Sequence, residues 1–131
     1  MHVMKYTTIP YVEKQVSRIF YGTAMMPFMA GEDGSEILDA IYKTGVNAFD
    51  TARGYMDAEA SLGKWVEERG LREKVVILSK CAHPDQERNK RVTEKCVRED
   101  FAVSSTKLRT DYIDIYLLHR DDPDVPAGQV V

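Results

Sequence analysis

Residues 74–80 read KVVILSK, a strand-length run in which four apolar residues follow one another without alternation. A strand with one wet face alternates apolar and polar residues, so a continuous run asks for cover on both faces, as parallel strands joined by helical crossovers have. The flanking segments supply those helices. Before the run, MDAEASLGKWVEERG sets Leu62, Trp65, Val66 and Arg69 on one face and stops at Gly70. After it, NKRVTEKCVREDFAVSSTKLRT carries Val97, Phe101, Ser104 and Leu108 at helical steps.

The same alternation extends both ways along the chain. EDGSEILDAIYKTG predicts a helix, with Ile37, Leu38 and Ile41 at helical spacing, Asp33 and Glu36 as a capping pair and Gly45 past the last turn. FYGTAMMPF reads as a strand running into a turn at Gly22 and Thr23, VNAF as a second strand and DYIDIYLLH as a fourth. Residues 3–19 hold two short extended runs around a polar link with Pro10, which predicts a hairpin ahead of the main fold.

No GxGxxG or GxxxxGK[ST] loop follows the first strand, which weighs against a nucleotide-binding doubly wound sheet. Asp50, Lys80 and His119 instead close three consecutive strands, and carboxyl strand ends are where a (β/α)8 barrel keeps its reactive groups. The fold class expected is α/β, a parallel (β/α) barrel of the TIM type. Such a barrel takes about 250 residues. The 131 residues here are read as one unit without an internal boundary, holding the hairpin, four strands and three helices of about the first half.

Composition narrows the partners. Eighteen Lys and Arg against 21 Asp and Glu give a net charge of −3, which provides no basic field for nucleic acid. No apolar run approaches the roughly 18 residues of a membrane span, and MHVMKYTTIPYVEKQ lacks the apolar core of a signal peptide. A cytoplasmic protein is expected. Cys81 and Cys96 fit neither a CxxC nor a Cys/His ligand spacing, so they are read as buried thiols and no metal site is expected.

Asp50, Tyr55, Lys80 and His119, set in FDTARGY, ILSK and YLLH, resemble the catalytic tetrad of the aldo-keto reductase family. The resemblance runs through MKYTTIP, GTAMMPF, FDTARGYMDAEASLG, VVILSK and TDYIDIYLLHRDDP, nearly the whole chain. It implies a barrel that uses a nicotinamide cofactor, usually NADPH, to reduce small-molecule aldehydes and ketones without a metal. It also places Gly22, Thr23 and Asp50 beside the nicotinamide, and Met25, Met26 and Phe28 where the family lines its substrate pocket, although a plain hydrophobic loop explains those three as well. The sequence departs from the family at LLHRDDP, where many members have Trp after the His.

The chemistry of these residue types agrees with that resemblance. Reducing a carbonyl puts hydride on carbon while negative charge grows on oxygen, so a proton donor and a hydrogen-bonding group are needed at the oxygen. Tyr55 would donate the proton, with the Lys80 ammonium beside the phenol, Asp50 aiming that ammonium, and His119 orienting the carbonyl. Taken singly, each has a plainer reading: a loop-organising Asp, a solvated Lys, a satisfied His, a packed Tyr. His83, three residues after Lys80, is placed to touch substrate but reads more simply as a loop residue, and Trp65 reads as core. The family draws the rest of its cofactor site from strands five to eight, so the half-barrel is expected to be inactive alone and to associate with another copy through its open sheet edges. The alternative is a non-catalytic binding or oligomerisation module of the same fold.

Overall fold

The computed structural model describes residues 3–130. A hairpin of β1 (Tyr6–Ile9) and β2 (Val12–Ser17) precedes β3 (Phe20–Gly22), α1 (Ser35–Lys43), β4 (Ala48–Asp50), α2 (Ala58–Glu68), β5 (Val76–Cys81), α3 (Glu94–Leu108) and β6 (Ile115–Leu118). The last four strands form one parallel sheet in chain order, β3-β4-β5-β6, and the hairpin forms a separate antiparallel pair. No helix among the described residues is long and apolar enough to cross a membrane.

Side-chain parity sorts the sheet into two faces. Tyr21, Phe49 and Ile77 point to one side, where they meet Leu38 of α1, Leu62, Trp65 and Val66 of α2 and Leu108 of α3 in the largest core cluster. Phe20, Ala48, Val76 and Ile115 point to the other, where Val16 of β2 packs with Ala48 and Val76, and Ile9 and Val12 lie against them. Helices on one face only, in strand order, are the arrangement of a (β/α) barrel wall rather than of a doubly wound sheet. The chain thus forms part of a (β/α) barrel: four strands, three helices and a hairpin across the amino ends of the strands.

An ion cluster seals that hairpin to the sheet. Lys14 of β2 reaches Asp114 Oδ1 at 2.8 Å and the carbonyls of Val75 and Arg72 at 2.9 and 3.1 Å. Asp114 Oδ2 accepts from the Ile77 amide at 2.9 Å and pairs with Arg72 at 2.9 Å. The Tyr112 ring stacks under the Arg72 guanidinium, 3.7 Å from its centroid. Every polar group at this floor therefore has partners, which such burial requires.

The structure departs from sequence expectation in several places. Asp33 and Glu36 do not form a capping pair: the N-cap residue is Gly34, while Asp33 Oδ1 accepts at 3.0 Å from the amide of Ser35, the first residue of α1. The reason is Phe28, whose ring lies 2.3 Å from where a Gly34 Cβ would stand, so the approach to the helix is shaped by that ring. Phe28 is wholly buried and so is core rather than pocket wall, while Met25 and Met26 remain exposed. Ile37 is 40% exposed, leaving Leu38 and Ile41 as the inward residues of α1. Arg69 lies past the apolar stripe of α2 as its C-cap and pairs with Asp39 of α1 at 2.9 Å. Cys81 is buried as expected, but Cys96 is only partly so because it faces outward on the first turn of α3.

The contact between α2 and α3 is closest at Gly63, where a Cβ would come within 2.5 Å of the Lys107 carbonyl oxygen and 2.6 Å of Leu108 backbone atoms. Backbone cannot yield as a side-chain tip can, so a methyl group there forces the helices apart. Gly63→Ala is expected to lower stability by about 1–3 kcal/mol, read as a lower urea midpoint at an unchanged slope. An unchanged midpoint would mean that this contact does not constrain the packing.

Candidate active site

The sheet register brings the strand-end residues together. Gly22 pairs with Asp50, Asp50 with Leu78, Leu78 with Ile115 and Lys80 with Leu117. Since alternate residues share a face, Gly22, Asp50, Lys80 and His119 all lie on the inner face, away from the helices. Lys80 stands two residues beyond Leu78, the partner of Asp50, and His119 two beyond Leu117, the partner of Lys80. The three rise like steps across neighbouring strands, following the stagger that closing a barrel demands.

After Asp50 the chain keeps to β5 before it turns. The Thr51 amide donates to the Leu78 carbonyl at 2.9 Å and the Arg53 amide to the Lys80 carbonyl at 3.0 Å. A tight turn from Ala52 to Tyr55 then lays the phenol above Lys80, and α2 begins three residues later. The buried Thr23 side chain fastens the neighbouring strand, its amide and hydroxyl both donating to the Asp50 carbonyl at 2.9 and 3.0 Å.

Lys80 Nζ has three partners: Asp50 Oδ1 at 2.7 Å, the Thr51 carbonyl at 2.9 Å and the Tyr55 hydroxyl at 3.2 Å. An ammonium has three N–H donors, so all are committed and its position is fixed. The Tyr55 oxygen accepts one of them, which leaves its own O–H to point elsewhere. The His119 ring stands edge-to-face with Tyr55, centroids 5.4 Å apart. Its backbone amide continues the β5 ladder by donating to the Cys81 carbonyl at 2.8 Å. Burial foremost, then the nearby His83, Lys80 and Arg120, push the His119 imidazole below its ordinary titration range, and Asp50 opposes them weakly. A neutral ring offers one donor and one acceptor.

All four residues singled out in the sequence therefore meet at one rim, with Gly22 and Thr23 alongside. Thr23 is spent on backbone, whereas Gly22 is open, with nothing within 4 Å of the place a Cβ would take. Three other groups lie around the rim, of which the sequence reading named only His83, and that as a loop residue. His83 lies 4.7 Å from His119, ring to ring. Asp100 and Arg91 form a bidentate pair at 2.9 and 3.0 Å that holds the loop carrying His83. Glu59 of α2, 1% exposed, accepts from Ser79 of β5 at 2.6 Å and so ties the start of α2 to the residue before Lys80. Only the short separation of His83 from Lys80 marked any of them in the sequence; Asp100 and Glu59 sit in helices whose local pattern does not distinguish them from solvated acids. Among the described residues no group of three His, Cys, Asp or Glu side chains is arranged to hold a metal ion.

Comparison with known proteins gives concordant matches. The model of the Aldo/keto reductase family matches residues 18–131. Aldo-keto reductase YhdN of Bacillus subtilis is 32% identical over 96% of this chain and 41% of its own length. Protein tas of Escherichia coli is 32% identical over 88% of this chain and 38% of its own. The holo form of an aldo-keto reductase from Bacillus halodurans superposes with a TM-score of 0.81 at 24% identity, over 97% of this chain and 44% of that one, a likeness of fold. The chain spans about two-fifths of the length of the curated relatives it matches.

Glu59 generates a pH signature. Its second carboxylate oxygen has no partner among the described residues, and burial raises its pKa above the ordinary value despite the Ser79 bond. A carboxyl raised in the folded state contributes stability that is present below its unfolded pKa of about 4.3 and is lost as pH rises through the folded value. Glu59→Gln keeps the shape without the charge. The variant's urea midpoint is expected to gain on the wild type between pH 4.5 and pH 8, and a constant difference across that range would show that Glu59 is not held protonated.

Proposed function

The chain belongs to the aldo/keto reductase family, and from that premise we propose that its rim is the proton-delivering side of a nicotinamide-dependent carbonyl reductase. The observation that carries the proposal is the Lys80 ammonium, held at once by Asp50 and by the Tyr55 hydroxyl. In this reading Tyr55 donates its free O–H to a carbonyl oxygen as charge grows there, and Lys80 stabilises the phenolate left behind. Asp50 keeps the ammonium aimed. A neutral His119 gives the same oxygen a second hydrogen bond.

The donor set fits a nicotinamide partner. It can supply a proton and oxyanion stabilisation but no electron pair to carbon, and a reduced nicotinamide supplies that pair as hydride when bound. Gly22 supports the fit, because its open inner face beside Asp50 lets a flat ring approach the backbone. Gly22, Thr23 and Asp50 are the residues proposed to border the ring. The substrates proposed are small aldehydes or ketones. The remaining barrel strands, which the longer relatives have room for, are proposed to hold the rest of the cofactor. For the 131-residue chain alone, pairing of two copies through the β3 and β6 edges is the proposed way of covering them, and NADPH oxidation is expected to be undetectable.

The test joins this chain to the remaining strands of a relative and follows NADPH oxidation with a panel of aldehydes. Tyr55→Phe in that chimera is expected to lose roughly 10²- to 10⁴-fold in kcat while keeping its affinity for NADPH, since the phenol proton is needed only in the transition state. Undiminished turnover in Tyr55→Phe would remove the phenol from the mechanism. An active-site geometry that binds NADPH and substrate without any turnover would favour a non-catalytic binding role instead.

A further inference from the structure

The loop between β5 and α3 is held more firmly than an exposed rim loop requires, and what it holds is one imidazole. Asp100, 4% exposed on α3, accepts from the Ala82 amide at 2.8 Å and from both terminal nitrogens of Arg91. Arg91 in turn donates to the His83 carbonyl at 3.1 Å. The backbone is thus fixed on both sides of the His83 side chain, even though Ala82 sits at φ 57, a left-handed region that L-residues rarely enter. The ring is fixed as well. Its Nδ1 lies 2.8 Å from the Pro84 carbonyl oxygen, which can only accept, so Nδ1 carries the proton.

Three rings then follow in an edge-to-face chain. His83 meets His119 at 4.7 Å with planes 82° apart, and His119 meets Tyr55 at 5.4 Å with planes 85° apart. His119 needs such neighbours, because the outer torsion of a histidine is broad and its buried Nδ1 has no hydrogen-bond partner among the described residues. Nothing polar sets the rotation of that ring; packing has to.

Resting on the reductase reading above, we propose that His83 is a positioning residue for His119: the clamped loop sets its imidazole against the His119 ring and so fixes which ring nitrogen faces a carbonyl held at the Tyr55 phenol. The charged and titratable groups facing His119 are His83 from the β5–α3 loop, Lys80 from β5, Asp50 from β4, Tyr55 from the β4–α2 loop and Arg120 beyond β6. After burial, His83 is the largest influence against the imidazolium. The position thus serves His119 twice, by orienting the ring and, after burial, by disfavouring its charged form.

The chain has three histidines, so their ring nitrogens can be followed one by one by long-range proton–nitrogen NMR without cofactor or substrate. In the wild type, His119 is expected to show a single tautomer and proton contacts to the Tyr55 ring. His83→Phe retains an aromatic edge, so tautomer and contacts should persist while the His119 titration moves upward. His83→Ala removes the edge, and His119 should give averaged ring-nitrogen shifts with weakened contacts to Tyr55. His83 is a partly buried loop residue outside the core clusters, so neither change empties the core; His83→Leu replaces His83→Ala if the amide spectrum of the latter is not that of the folded chain. His119 tautomer, contacts and titration unchanged in His83→Ala or His83→Leu would overturn the proposal. Failure of the reductase reading would show separately, as absent turnover in the chimera, with these NMR outcomes untouched.

Discussion

The whole rim is organised around one ammonium. Lys80 has three donors and three acceptors within reach: a carboxylate from one strand end, a carbonyl from the loop that follows it, and the phenol that the same loop carries back. A lysine side chain loses much rotamer freedom when fixed, and here that loss is offset by charge-assisted hydrogen bonds in a site where Lys80 is 16% exposed and Asp50 30%. Remove the carboxylate and the ammonium has no fixed aim. Remove the ammonium and the phenol loses the charge that lies against its oxygen.

That contact depends on parallel register and on parity. Asp50 and Lys80 can touch only because Asp50 pairs with Leu78 and the next inward residue along β5 is Lys80. A slip of one residue would turn Lys80 toward the helices and Ser79 toward the rim. Register is set at the other end of the strands, where Asp114 grips the Ile77 amide, Arg72 and Lys14 of the hairpin together. Helix packing completes the frame from outside, with Gly63 letting α2 and α3 approach closely. The buried Glu59–Ser79 bond then ties α2 to β5 directly beneath the Tyr55 loop.

What could be read from the sequence follows from this physics. Strands and helices were legible because burial on one or two faces imposes a local period, and the four rim residues because they stand at strand ends in a motif-bearing order. Other features depend on contacts distant in sequence. Asp33 looked like a cap, but the ring of Phe28 reaches the turn and moves the cap to Gly34. Phe28 itself follows a strand as a pocket residue would, yet it is wholly buried under α1. Asp100 and Arg91 are nine residues apart and mark no helical period, and their value lies in gripping the loop that carries His83.

The central claim is that Asp50, Lys80 and Tyr55 work as one proton-delivery unit rather than as three independent contributors. A double-mutant cycle on Asp50→Asn and Lys80→Met, measured as kcat of the chimeric barrel with a saturating aldehyde, tests it most directly. If the ammonium acts only when aimed by the carboxylate, the double variant should be no slower than Lys80→Met alone, the losses being strongly non-additive. Losses that multiply, each substitution costing as much in the presence of the other as alone, would contradict the account.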